Sequence, residues 1–197
     1  MSVRTLVLAT KNNHKVKEFT QAFAPYQIIV KPIAEHIIMP QETGLTFLEN
    51  ALLKAHSIAK QVGVPVLADD SGLCVDVLEG APGIYSARYA GEPSDDRRNR
   101  EKLLEALRGI DSDQRKAHFT CSLALVWPDG REIGVTGMCQ GLIVEENLGS
   151  EGFGYDPLFY YPPFQKTFAE ISLEEKNQIS HRARAVEMLI PSLTLLE

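Results

Sequence analysis

Two adjacent aspartates close an apolar run in Leu67-Ala68-Asp69-Asp70-Ser71-Gly72, and they are the first residues here whose type and spacing suit a reaction. Carboxylate oxygens are hard donors of the kind Mg2+ prefers, and an Asp held at the end of a strand can also take a proton from water. Apolar Val64, Val66 and Leu67 predict a buried strand, and Ser71-Gly72 predicts the turn after it, where α/β proteins place chemistry. Consecutive side chains of a strand leave on opposite faces. At most one Asp therefore faces a ligand, and the other holds the turn through its own backbone.

Three further segments carry candidate chemistry. In Thr10-Lys11-Asn12-Asn13-His14-Lys15 a strand gives way to a helix, where free backbone N–H groups, the helix dipole and Lys15 can face one anion. The segment lacks glycine and the P-loop pattern, so a capped helix with solvated lysines competes with that reading. Glu42 can add a second carboxylate to a Mg2+ held by Asp69 or Asp70. Glu49 competes for that role, although its capping-box position already accounts for it. Lys54 is either solvated or reaches a phosphate.

Gly152-Phe153-Gly154-Tyr155-Asp156-Pro157 combines glycines, which let a backbone approach a ligand, with rings on which a purine can stack. The alternative is a glycine-rich loop anchoring an aromatic into the core. Lys176, His181 and Arg182 follow, and on one continuous helix they would fall on different faces. A break between Asn177 and Ser180, with Ser180 capping the next piece, is needed to bring all three to one ligand. Arg97, Arg98 and Arg100 read as the solvated face of a helix. His14, His56 and His118 have no metal-ligand spacing, and no nucleophile motif is present.

The elements that must position these residues alternate through the first half. Val3 to Ala9 predicts a buried strand, and Asn12 or Asn13 caps a helix with Val16, Phe19 and Phe23 at helical spacing. A second strand covers Ile28 to Val30. Thr46-Phe47-Leu48-Glu49 is a capping box, followed by an apolar stripe of Phe47, Ala51, Ala55, Ile58, Ala59 and Val62 that ends at Gly63. Asn50, Lys54, Ser57 and Gln61 form the opposing polar stripe. Gly80 to Pro93 predicts an ordered loop, and a helix begins near Ser94. Phe119 to Trp127, a Pro128-Asp129-Gly130 turn, and Ile133, Val135 and Leu142 predict a long antiparallel hairpin. This order predicts a mixed sheet with helices on its faces, parallel in the first half and antiparallel in the second.

At 197 residues with 44% hydrophobic content, the chain is long enough for one core or two lobes sharing a sheet. A net charge of −6 argues against a nucleic-acid polymer as partner, while leaving room for a small anion met by a few converging cations. The three cysteines form no CxxC pair, which fits a reducing compartment. The N-terminal apolar run is too short for a signal-peptide core, and no run reaches membrane-spanning length. A soluble cytoplasmic protein is expected.

Taken in order, Thr10-x-Asn12-x-x-Lys15, Glu42-Thr43-Gly44-x-Thr46-Phe47-x-Glu49-Asn50-Ala51, Ala68-Asp69-Asp70-Ser71-Gly72, Ala81-Pro82-Gly83-x-Tyr85-Ser86-Ala87-Arg88-Tyr89, Gly152-Phe153-Gly154-Tyr155-Asp156-Pro157 and Ser180-His181-Arg182 resemble the Ham1/RdgB family of inosine and xanthosine triphosphate pyrophosphatases. The resemblance runs from Thr10 to Arg182. It departs from the family pattern at Lys11, where a smaller residue is common, and at Gln41, where many bacterial members are acidic.

The resemblance implies an elongated α/β fold, a single pyrophosphatase domain over residues 1–197 whose two lobes flank a central substrate cleft, and a homodimer. It also implies a Mg2+-dependent enzyme that splits dITP, ITP and XTP into the monophosphate and pyrophosphate. By position, Asp70 becomes general base and metal ligand, and the residue chemistry adds Glu42 as a second ligand to the Mg2+. Thr10, Lys11, Asn12, Asn13, His14 and Lys15 hold phosphates, Ser71 contacts substrate, and Phe153, Gly154, Tyr155, Asp156, Lys176, His181 and Arg182 bind the nucleotide. Lys15, Lys54 and Lys176 neutralise phosphate charge. Donors such as His181, Arg182 or loop N–H groups would pair with the purine O6 that replaces adenine's amino group. A Maf-type nucleotide pyrophosphatase with another base preference, or a nucleotide-binding regulator without turnover, are the competing readings.

Overall fold

The computed structural model describes residues 4–194. They fall into two compact units, Met1–Asp70 with Cys121–Gly137 and His181–Glu197, and Ser71–Thr120 with Met138–Ser180. The fold is the expected mixed α/β type. Its seven-stranded sheet has the order β2-β1-β3-β4-β5-β6-β7, with β1 at Arg4–Leu8, β2 at Ile28–Pro32, β3 at Val66–Val75, β4 at Lys116–Val126, β5 at Glu132–Ile143, β6 at Phe159–Tyr161 and β7 at Lys166–Thr167. Strands β3, β4 and β5 each have residues in both units.

In the first unit β1 pairs in parallel with β2 from Arg4↔Ile28 to Leu8↔Pro32, and with β3 at Val7↔Val66 and Leu8↔Leu67. Strand alternation sorts the core onto two faces. Leu6, Leu8, Leu67, Leu123 and Leu125 pack with Phe19 and Phe23 of helix α1 (Asn13–Phe23) and Val186 and Leu189 of helix α5 (His181–Thr194). Ala9, Val66, Ala68, Ala124 and Val126 pack on Ala51, Ala55 and Ile58 of helix α2 (Phe47–Val62). Val3, expected to open the first strand, lies outside the described residues. Helix α2 has the expected capping box, Thr46 with Glu49, and ends at Gly63 with φ of 69°.

In the second unit β5 and β6 are antiparallel, as are β6 and β7. Phe119, Phe159 and Phe168 form its aromatic centre, with ring centroids 4.6 to 5.9 Å apart, beside Leu103 and Leu107. Helix α3 spans Asp96–Ala106 and helix α4 spans Leu173–Ile179. The Gly80 to Pro93 region is ordered by a 3-10 helix at Gly83–Arg88. Buried Asn99 of α3 donates to the Ala87 carbonyl and accepts from the Ala90 N–H.

One expectation needs correction. No turn occurs at Ser71-Gly72: β3 runs on to Val75 because Leu73 and Val75 are both buried and keep the strand alternation going. Helix α3 begins near Ser94 as expected, with its first residue at Asp96 and Asp95 accepting the Arg98 N–H. On the polar stripe of α2 Asn50 and Lys54 are buried, so of the two readings of Lys54 the solvated one falls. No described helix is long and apolar enough to cross a membrane.

Candidate functional site

The two-face geometry of β3 decides what each aspartate meets. Asp69 follows Leu67 onto the α1 and α5 face, and Asp70 follows Ala68 onto the α2 face. Accordingly Lys15 of α1 bonds Asp69 Oδ2 at 2.7 Å, while Asp70 accepts from Lys54 Nζ and Asn50 Nδ2 of α2, both at 3.2 Å. Asp69 thus serves an ion pair and not a turn.

Lys54 Nζ also donates to Glu42 Oε1 at 2.7 Å, so Glu42 and Asp70 converge on one buried ammonium. Gly44 holds the Glu42 segment against α2, its N–H donating to Asn50 Oδ1 at 2.8 Å, and a side chain at Gly44 would collide with Asn50 and Glu49. Burial alone would favour neutral groups here. For Asp69 burial is outweighed by Lys15, Lys54 and Arg182, which hold its carboxyl at about 2. At Asp70 burial wins, aided by Glu42 and Asp69, and the carboxyl is pushed up despite Lys54 and Lys15. Lys54 has burial working to lower it, but Asp69, Asp70 and Glu42 together raise it.

The Thr10 to Lys15 segment is a capped helix start. Asn12 Oδ1 accepts from the N–H groups of His14 and Lys15, and Thr10 Oγ1 accepts from the N–H of Asn12. The N–H groups of Asn12, His14 and Lys15 are thereby engaged by side chains of the segment itself, as expected where an Asn takes the N-cap. Lys11 donates to the Glu35 carbonyl at 2.8 Å, and Asn13 and His14 are exposed.

Helix α4 ends at Ile179 and extended Ser180 separates it from α5, which is the break that Lys176, His181 and Arg182 require. In the first unit His181 and Arg182 are buried at the start of α5, and Arg182 Nη1 pairs with Glu18 of α1 at 2.7 Å. Gly137 of β5 lets this helix start lie directly on the strand, for a Cβ there would strike the His181 carbonyl and the backbone of Ala185.

In the second unit Lys176 and Asp156 form a buried pair at 2.6 Å, and Asp156 Oδ2 also accepts from the Phe153 N–H. The Lys176 ammonium lies 5.4 Å from the Phe153 ring centroid. Tyr155 is buried and donates to the Ser86 carbonyl at 2.9 Å, so this aromatic anchors the loop into the core, while Phe153 lies beside the ion pair. Ser71 is half-buried, next to Asp70 on β3.

Sequence reasoning missed Glu18, Asn50, Asp96 and Arg100 as partners of these groups. Glu18 left a trace, since it lies one turn from Lys15 and one from buried Ala22 on the same helix face. Arg100 left none.

The Ham1 family model matches residues 6–192. The chain belongs to the Ham1 family. It is 50% identical over 192 residues to a dITP/XTP pyrophosphatase of Bacillus cereus, covering 95% of this chain and 94% of that one. A dITP/XTP pyrophosphatase of Listeria monocytogenes is also 50% identical, over 186 residues, covering 93% of this chain and 92% of the relative. The Ham1 protein of Staphylococcus aureus shares its fold with a TM-score of 0.86 at 42% identity, covering 98% of this chain and 100% of that structure.

Proposed function

We propose that this Ham1 family chain hydrolyses dITP, ITP and XTP to the nucleoside monophosphate and pyrophosphate, and so clears deaminated purines from the cytoplasmic nucleotide pool. All of 1–197 is taken as one pyrophosphatase domain acting as a homodimer. The observation that carries the reading is the convergence of Glu42 and Asp70 on the Lys54 ammonium beside the Lys15–Asp69 pair, in a chain half identical to dITP/XTP pyrophosphatases.

Two hard carboxylates facing one cation suit Mg2+, which keeps most of its waters and takes few protein ligands. Glu42 and Asp70 would hold it, and when bound it supplies charge neutralisation on the phosphate oxygens. Asp70 orients a water and accepts its proton as the water oxygen bonds to the α phosphorus. The bond from that phosphorus to the bridging oxygen breaks, and pyrophosphate leaves with the electron pair. Burial that raises the proton affinity of Asp70 suits it to this role. Lys15 and Lys54 sit beside the carboxylates and offset the accumulating phosphate charge. Phe153 offers a stacking face, and His181, Arg182 or loop N–H groups supply donors to a purine O6, which adenine would meet with another donor. A site built around such a hydrogen bond discriminates by about 10⁴–10⁵.

Pyrophosphate release from dITP, ITP, XTP, ATP, GTP and TTP, with and without Mg2+, tests this reading. Asp70→Asn should bind ITP with KM within a few-fold and lose about 10²–10⁴ in kcat. Near-normal turnover would remove Asp70 from the role, and equal rates on ATP and ITP would refute the substrate assignment.

A further inference from the structure

The loop that presents Phe153 has no strand or helix to hold its backbone, yet Gly154 is gripped at both of its polar groups. Its N–H donates to Asp96 Oδ2 at 2.7 Å, and its carbonyl accepts from Arg100 Nη1, also at 2.7 Å. Asp96 and Arg100 stand four residues apart on α3 and therefore share a face of that helix. Both bonds involve an ionised partner, which makes each roughly twice as strong as a neutral one.

Gly154 has φ of 61°, in the left-handed region open to glycine at little cost, so the two peptides that meet at its Cα can turn the N–H of one and the carbonyl of the other toward one helix. Its neighbours are tied separately, Phe153 through its N–H to Asp156, and Tyr155 through its hydroxyl to Ser86. Asp96 holds the 153–154 peptide and Arg100 the 154–155 peptide, so the two α3 side chains together oppose rotation of the backbone about the Gly154 Cα, one residue from Phe153.

We propose that Asp96 and Arg100 are positioning residues for base recognition: a charged clamp from α3 that fixes the two peptides meeting at Gly154 and with them the backbone that presents the Phe153 ring. The proposal rests on the reading that the Phe153–Asp156 loop receives the base. It separates Arg100 from its neighbours, since Arg97 spends its charge on exposed Glu101 as a solvated helix face does.

The test measures steady-state ITP hydrolysis and competitive inhibition by inorganic triphosphate, which carries the phosphates without a base, in the full chain. Asp96→Asn and Arg100→Met should each raise KM for ITP about 10-fold, the loss of one charged hydrogen bond, with kcat little changed. Inhibition by inorganic triphosphate should stay at the wild-type level, and Arg100→Lys should recover part of the lost affinity. If Phe153→Ala raises KM for ITP while neither α3 variant does, the clamp is wrong and the base-loop reading stands. If Phe153→Ala leaves KM unchanged, the base-loop reading falls and the clamp with it. Parallel weakening of ITP and inorganic triphosphate would mark general loosening and overturn the proposal. Should Arg100→Met not fold, the near-isosteric Asp96→Asn carries the test.

Discussion

Removing Glu18 leaves the Arg182 guanidinium inside the first unit without the carboxylate it bonds at 2.7 Å. The two side chains are only 6% and 4% exposed, so water cannot replace the lost partner. Truncating one member of a buried ion pair costs about 3–5 kcal/mol. Asp69 also feels the Arg182 charge and remains in the variant, which puts Glu18→Ala at the lower end, about 3 kcal/mol. Against a total stability of about 5–15 kcal/mol this is a large loss.

The single tryptophan, Trp127, is partly buried against the core that holds α1 and α5, so its fluorescence in a urea titration reports the right unit. A double-mutant cycle then separates the pair from its surroundings. Glu18→Ala with Arg182→Met should be less destabilised than the sum of the single changes by about 2 kcal/mol, because the second change removes the stranded charge. Additivity within about 0.5 kcal/mol would show that the two groups do not depend on each other, and would refute the argument.

Two further outcomes are expected away from these residues. Thr46→Ala removes the N-cap of α2 and should cost about 1 kcal/mol, while Thr46→Ser keeps the oxygen and most of the stability; equal urea midpoints for wild type and Thr46→Ala would contradict this. Burial, with Tyr89 and Asp96 in the same direction, pushes the Tyr155 phenol above its ordinary value. The folded chain then keeps a proton that the unfolded chain releases above about pH 10, so this contribution is intact below that pH and is lost as pH rises beyond it. Tyr155→Phe should flatten the alkaline decline while giving up about 1 kcal/mol near neutrality with its hydrogen bond to Ser86. Matching urea midpoints against pH for the two proteins would exclude Tyr155 as the source.

The helices with a cap and an apolar stripe were legible residue by residue, as α2 shows from Thr46 to Gly63. Local signals settle such elements, and tertiary contacts only confirm them. At Ser71-Gly72 the local turn signal lost to burial of Leu73 and Val75, whose core partners, Leu103 and Phe159 among them, lie far along the chain. The aspartate pair was legible as opposite-facing, but the helix covering each face was not, because that depends on which strand lies next to β3. Lys54 could not be assigned from its stripe, since its burial follows from Glu42 and Asp70 converging across separations of 12 and 16 residues. Arg100 looked like Arg97 and Arg98 in every local respect, and only the placement of Gly154 distinguishes it.

Gly137 bears on any attempt to retune what the enzyme accepts. Strand β5 and the first turn of α5 meet main chain to main chain there, so no side chain is available to be trimmed or enlarged as a shim. The seat under His181 and Arg182 cannot be adjusted in small steps. Libraries aimed at new substrates can vary the residues that α5 displays, but should leave position 137 untouched.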